Sequence, residues 1–370
     1  MKVALIHDHL AQDGGAEKVL KVFADMFPEA PIYTLLYEKK HVDKYFKNRR
    51  IDTSIIQKLP GGIKHYQWYL SFMPMAVEFY DLSSYDLVIS DTSSFAKGVI
   101  TKPNCLHICY CHTPTRYLWS DTHQYINELK YNKWLKKIIG LLLNRIRIWD
   151  RLAADRVDLF IANSKTVQQR ITKYYRREST LIYPPVETHK FTVRDLSSQL
   201  ETEKYFLAGC RLAPYKRIDL VIEAFKILGQ EYKLKIFGDG VDLERLKIIA
   251  ANASNIEFLG RVSEEEKVNL FENAQAYIHP QEEDFGIAAV EAMAAGRPVI
   301  AYRKGGATET VIEGETGAFF EEQRSTSLAA AIKSFKSDDF NPEKIKAHAE
   351  QFSVENFIKQ IRDFIANHKK

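Results

Sequence analysis

The sequence predicts an α/β protein made of two doubly wound domains, each a mostly parallel sheet flanked by helices. The chain has 370 residues, too many for one typical core and suited to two domains of comparable size. Short apolar runs such as Val3 to Ile6, Tyr205 to Gly209 and Val299 to Ala301 alternate with stretches of helical periodicity, and a glycine-rich or polar turn closes each run. Pro184-Pro185 then breaks the alternation with an extended segment that excludes helix. A linker is therefore expected at 183–186, between a domain over 1–182 and one over 187–352. The last amphipathic helix, near 353–370, is expected to pack back on the first domain.

Composition bounds the function only loosely. The chain is 45% hydrophobic and 27% charged, with a net charge of +4, as in an ordinary soluble globular protein, and nothing in it points to nucleic acid. Met1-Lys2 leads straight into a strand with no signal-peptide pattern, and the longest apolar run, Ile138 to Leu143, is interrupted by Gly140. A cytoplasmic protein is expected, at most peripheral on the inner face of the plasma membrane.

In the first half, the strand Val3 to Ile6 is followed by His7, Asp8 and His9, then by Asp13-Gly14-Gly15-Ala16-Glu17 and a helix from Lys18. Glycines at a helix N-terminus let the backbone approach a ligand closely. Asp86 to Ser90 reads as another strand. In Cys105-Leu106-His107-Ile108-Cys109-Tyr110-Cys111 the cysteines and His107 share one face. Neighbours on that face stand ~6–7 Å apart, too far for one zinc ion, so reduced buried thiols and no metal are expected. That strand ends at His112-Thr113-Pro114-Thr115-Arg116-Tyr117, and a histidine at the carboxyl end of a parallel strand points into the crevice where ligands sit.

Between 129 and 149, Lys130, Lys133, Lys136, Lys137, Arg145 and Arg147 occur with no acidic residue among them. Tyr131, Leu135, Ile138, Leu142, Ile146 and Trp149 recur at steps of three and four. A basic amphipathic helix of this kind suits an anionic membrane surface, presented through Lys133, Trp134, Lys136, Lys137 and Arg145. The alternative is a helix packed on its own domain, with Trp149 anchored in the protein.

The second half restarts the rhythm. After Tyr205 to Gly209 comes Arg211 with Lys216 five residues on, and Asp219 stands where it can cap the next helix. Leu234 to Phe237 ends in Gly238-Asp239-Gly240, and Ile256 to Leu259 ends in Gly260-Arg261-Val262. Ala276 to Ile278 runs into an acidic loop with Glu283, Asp284, Phe285 and Gly286, then a helix from Ile287 that carries Glu291 and stops at Gly296 and Pro298. Strand, polar loop and helix N-terminus together make an anion site beside carboxylates suited to sugar hydroxyls. Gly305-Gly306-Ala307 with Glu309 repeats the Gly-Gly-Ala…Glu pattern of the first half. The absence of G-x-G-x-x-G weighs against a dinucleotide oxidoreductase.

Glu283 and Glu291 with Phe285-Gly286 between them, Arg211 with Lys216, and the glycine turns, in this order, resemble the retaining glycosyltransferases of family 4. The resemblance covers nearly the whole chain and implies the GT-B fold, two Rossmann-like domains facing a cleft. The first half, through Gly14-Gly15-Ala16-Glu17, Cys111-His112-Thr113-Pro114 and Tyr183-Pro184-Pro185, looks like bacterial enzymes of O-antigen and exopolysaccharide assembly, many of them mannosyltransferases. It implies a nucleotide-sugar donor whose diphosphate meets Arg211, Lys216 and the Gly14-Gly15 loop. Glu283, with the backbone from Asp284 to Gly286, would hold the donor sugar, Glu291 the ribose, and the backbone near Arg261-Val262 the base. His112 would touch the sugar or its leaving group, with Asp8, His9, Arg116 and Tyr117 on the acceptor side.

The implied reaction retains configuration and needs no metal or other cofactor, since no Asp-x-Asp occurs and cations plus N–H dipoles can stabilise the leaving phosphate. GDP-mannose is the expected donor and a lipid-linked oligosaccharide the expected acceptor, with a UDP-hexose as the second choice. A nucleotide-sugar epimerase or hydrolase on the same fold, or a catalytically silent glycan-binding protein, are the alternatives of another class.

Overall fold

The computed structural model describes residues 1–12, 14–129, 131–195 and 204–368; Asp13 and Lys130 lie outside them. The chain forms two compact units, Met1–Tyr183 together with Ile358–Lys370, and Pro184–Phe357.

The first unit is a seven-stranded parallel sheet. Its strands are β1 (Val3–Leu10), β2 (Ile32–Tyr37), β3 (Ile51–Thr53), β4 (Leu87–Thr92), β5 (Leu106–Cys111), β6 (Leu159–Ala162) and β7 (Ser179–Leu181), in the order β3-β2-β1-β4-β5-β6-β7. Continuous apolar runs are what a sheet covered on both faces demands: Ala4, Leu5, Ile6, Leu87, Val88, Ile108 and Cys109 are all inaccessible to within 1%. Cys109 and Cys111 pack with Phe160, Val167 and Tyr175, whereas Cys105 packs with Val88 and Phe95. Among the described residues no three His, Cys, Asp or Glu side chains cluster as a metal site requires.

The second unit has six parallel strands, β8 (Phe206–Gly209), β9 (Leu234–Phe237), β10 (Ile256–Gly260), β11 (Ala276–His279), β12 (Val299–Tyr302) and β13 (Gly317–Phe320), in the order β10-β9-β8-β11-β12-β13. Leu220, Val221, Ala224 and Phe225 of the helix Ile218–Leu228 pack on Phe206, Leu234 and Ile236. Asp219 does not cap that helix: Arg217, at φ 54°, opens it from the left-handed region, so Asp219 falls inside the first turn and accepts a long bond, 3.4 Å, from Arg217 Nε. Both sheets reverse strand order once, between β1 and β4 and between β8 and β11. Those two points are where a doubly wound sheet opens a crevice at its carboxyl edge.

Candidate functional site

In the second unit the loop leaving β8 carries Arg211 and Lys216, and the loop leaving β11 carries Glu283. The Lys216 ammonium pairs with the Glu283 carboxylate, which joins the two loops that flank the reversal. Glycines set the spacing. A Cβ on Gly238, at φ 115°, would lie 1.9 Å from the Cys210 carbonyl oxygen, so only glycine lets the turn after β9 press against the Arg211 loop. The two loops are then laced together: Leu212 N–H donates to Asp239 O at 2.8 Å, and Asp242 N–H to Leu212 O at 3.1 Å. The Arg211 guanidinium is exposed and donates to the Tyr215 hydroxyl at 2.9 Å.

Behind Glu283, Gly306 N–H donates to Glu283 O at 2.8 Å, and a Cβ on Gly306 would lie 2.4 Å from Phe285 Cα. The Gly305-Gly306 turn thus backs the acidic loop. Gly286, at φ 93°, opens the helix Ile287–Ala294, so Asp284, Phe285, Gly286 and Ile287 lie at its N-terminus, with Phe285 buried. Beneath this loop stands His279, wholly buried, its ring 3.1 Å from where a Gly286 Cβ would be. Glu291 is only 8% exposed and accepts from Lys267 Nζ at 3.0 Å. A ribose diol at Glu291 would therefore share the carboxylate with Lys267. Arg261 is exposed and Val262 half-buried, just before Ser263 caps its helix through Glu266 N–H at 3.2 Å.

The first unit builds a second polar cluster at its own reversal. His7 Nδ1 donates to Asp91 Oδ2 at 2.9 Å, and Asp91 Oδ1 accepts from His112 Nε2 at 2.6 Å. Glu17 accepts Gly14 N–H at 3.0 Å and approaches His7 Nε2 at 3.9 Å. Burial alone would lower the His7 pKa, but hydrogen bonds and charge from Asp91 and Glu17 outweigh it and raise it to about 10. Burial likewise acts against the Asp91 charge, and His112 and His7 more than compensate, holding its pKa below the usual range.

Of the residues expected on the acceptor side, Asp8 takes another role. Its buried carboxylate accepts from Thr92 Oγ1 and from the backbone N–H groups of Ser93, Phe95 and Ala96, at 2.7 to 3.0 Å. It ties down the turn after β4, because that turn would otherwise bury unsatisfied donors. Arg116 is ion-paired with Asp121 at 2.7 Å, and Tyr117 OH meets Ser94 Oγ at 3.2 Å; both brace the loop after β5. His9 Nε2 is buried without a partner among the described residues, beside the Tyr66 ring.

The basic helix runs over Lys133–Asp155, not from 129, because Asn132 Oδ1 caps Leu135 N–H at 2.8 Å. Lys133, Trp134, Lys137 and Arg145 are exposed. Lys136 is half-buried and reaches Asn127 O at 2.8 Å, while Arg147 turns inward to Leu118 O and Thr122. Trp149 anchors in the unit through Glu78 at 2.8 Å.

Sequence reading missed His7 and Glu17 as site residues, as well as Asp91, Lys267 and His279. Asp91 carried one signal, a carboxylate at the end of a strand beside the reversal; Lys267 carried none, since its partner is 24 positions away.

Burial lowers the pKa of His279 to about 3, with the Lys216 charge helping, and that of His107 to about 4. Both are neutral when folded and take protons near the ordinary histidine value when unfolded, so stability is lost as pH falls from 6.5 toward these values. The expected loss is about 2–3 kcal/mol per histidine at pH 4.5. His7 works in the other direction: its stabilisation is complete below the ordinary value and fades as pH rises through about 10. Urea midpoints measured from pH 4 to 10 should therefore peak near neutrality, and His279→Gln should flatten the acid limb.

Residues 192–367 match the family described as Glycosyl transferases group 1, and residues 13–190 match Glycosyltransferase Family 4. The chain is similar to the alpha-1,3/1,6-mannosyltransferase ALG2 of Dictyostelium discoideum, 22% identical over 99% of this chain and 98% of that one. It is 28% identical to the D-inositol 3-phosphate glycosyltransferase of Corynebacterium urealyticum over 58% of each chain. Among solved structures, Anabaena Alr3699/HepE in complex with UDP-glucose superposes with a TM-score of 0.71 at 20% identity, covering 99% of this chain and 100% of that one. The sucrose-phosphate synthase of Thermosynechococcus elongatus gives 0.75 at 17% identity, covering 99% of each. These neighbours share the GT-B fold.

Proposed function

Because the chain belongs to the group 1 and family 4 glycosyltransferases, we propose that it is a retaining, metal-independent hexosyltransferase of surface polysaccharide assembly. Mannose from GDP-mannose is the donor we favour. The observation that carries the reading is the Lys216–Glu283 pair beside Arg211 at the strand reversal. Arg211 and Lys216 meet the β-phosphate as its bond to the anomeric carbon breaks and negative charge grows there. Glu283 and the N–H groups opening the helix at Ile287 hold the sugar. The acceptor hydroxyl attacks the anomeric carbon from the face that the nucleotide leaves, and its proton passes to the departing phosphate. We assign His112, steadied by Asp91, a part in the same transfer.

Mannose is favoured because several full-length relatives are named as mannosyltransferases. A UDP-hexose is the second reading, supported by the UDP-glucose bound in the Anabaena neighbour. A thermal-shift panel of GDP-mannose, UDP-glucose and dTDP-glucose separates them. At a hundredfold excess over Kd a bound donor adds about 2.7 kcal/mol, a rise of roughly 5–10 °C at the ≈ 2–4 °C per kcal/mol of a domain this size. A rise with the UDP-sugar alone selects the second reading, and no rise with any donor defeats both. NMR of a donor-only reaction that shows epimerised sugar would replace transfer by isomerisation.

For the acceptor we favour an oligosaccharide carried on a lipid diphosphate. No described helix is long and apolar enough to cross a membrane, yet the first unit exposes Trp134 at 77%, Leu141 at 70%, Phe79 at 69% and Trp68 at 66%. Apolar side chains among exposed Lys133, Lys137 and Arg145 suit an anionic bilayer, with each cation near the surface worth about 1 kcal/mol. Neutralising Lys133, Lys136, Lys137 and Arg145 together should lower co-sedimentation with phosphatidylglycerol vesicles at least tenfold. Equal binding removes the membrane from the proposal.

A further inference from the structure

Glu17 and His7 have no part in the chemistry assigned above, yet they lie in one buried array with Asp91 and His112. Glu17, 2% exposed, holds Gly14 N–H with one carboxylate oxygen. Its other oxygen lies 3.9 Å from His7 Nε2, within ion-pair range though beyond a hydrogen bond. Asp91, wholly buried, is shared by His7 and His112. A buried carboxylate needs a compensating cation, and two imidazoles compete to be that cation. A second carboxylate stands beside only one of them.

We propose that Glu17 is a positioning residue: it fixes the positive charge on His7, so that Asp91 is neutralised from β1 and orients the His112 ring by accepting its Nε2–H. The other charged groups around His7 do not undo this. Asp8 on the same strand is fully engaged by the turn after β4, and burial lowers the pKa of His9. The same Glu17 carboxylate grips the glycine loop, so the loop and the charge are set together. The kinetic consequence rests on the transferase reading; the charge on His7 does not.

Glu17→Gln keeps an oxygen for Gly14 N–H and removes the charge. In protein labelled with ¹³C-histidine, His7 should remain protonated at pH 8 in the wild type and lose about a thousandfold in proton affinity in the variant, enough to leave it about a tenth protonated at that pH. With the donor that binds, kcat of the variant should fall about tenfold at pH 8 and recover toward pH 6, with donor KM unchanged. Glu17→Asp, which restores a carboxylate, should regain most of the loss. An unchanged His7 titration overturns the proposal. So does a kcat loss equal at both pH values, or one that aspartate does not reverse, since each would leave Glu17 a cap and nothing more. If the wild type transfers no sugar, the transferase reading falls and the His7 titration alone decides this one.

Discussion

Arg211→Ala and Lys216→Ala should each lower kcat by about 10²–10³-fold, the loss expected when one donor to a developing oxyanion is removed. Folding should be nearly untouched for Arg211, whose guanidinium is exposed and whose bond to Tyr215 lies in solvent. Lys216→Ala leaves the partly buried Glu283 carboxylate without its ammonium, so a modest fall in Tm accompanies the kinetic loss. Glu283→Gln should also lose turnover, because the amide keeps one accepting oxygen, turns the other site into a donor and removes the charge with which a carboxylate accepts from two neighbouring hydroxyls. The double variant Arg211→Ala/Lys216→Ala should lose less than the product of the single losses, since both cations act on one phosphate. Single-turnover rates with saturating donor measure this directly. Full rates in all three single variants would remove the phosphate from this site.

What the sequence made legible was whatever depends on local order. The strand ends at Gly209 and Phe237, those at His279 and Tyr302 to within one residue, the glycine turns, and the Pro184-Pro185 break all follow from period and turn chemistry along the chain. The Arg211–Lys216 loop and the Glu283 loop could be named because each directly follows a strand. Their pairing could not be read, since it depends on β8 lying beside β11, 70 positions away at Gln275 N–H to Tyr205 O; no local pattern encodes that neighbour. The same holds for Asp91, which joins a strand on each side, and for the Lys267–Glu291 pair. That Asp8 is engaged by its own chain stays hidden for a related reason. A carboxylate at a strand end looks alike in sequence whether it faces a ligand or its own chain, and only the donors around it, 84 to 88 residues on, decide.

Gly306→Ala should cost about 10²-fold in kcat without touching a catalytic group. At φ −60° the backbone there tolerates any residue, so strain in the dihedral is not the cause. The cause is space: the new methyl would fall 2.4 Å from Phe285 Cα and 2.6 Å from the Asp284 and Phe285 carbonyl oxygens. These are backbone atoms, which cannot rotate aside as a flexible side chain would. Either the Gly305–Ala307 turn retreats and breaks the Gly306 N–H bond to Glu283 O, 2.8 Å long, or the Glu283–Phe285 segment moves. Both displace Glu283 and the helix N-terminus behind Gly286 by an appreciable part of an ångström, and a misplacement near 1 Å from a remote change costs on the order of 10²-fold. Gly314→Ala is the control, with no atom within 4 Å of its added methyl although its φ is 75°: it should reduce stability through the backbone alone and leave kcat intact. Equal kcat losses in the two variants would show that general loosening of the second unit, and not the position of the Glu283 loop, limits turnover.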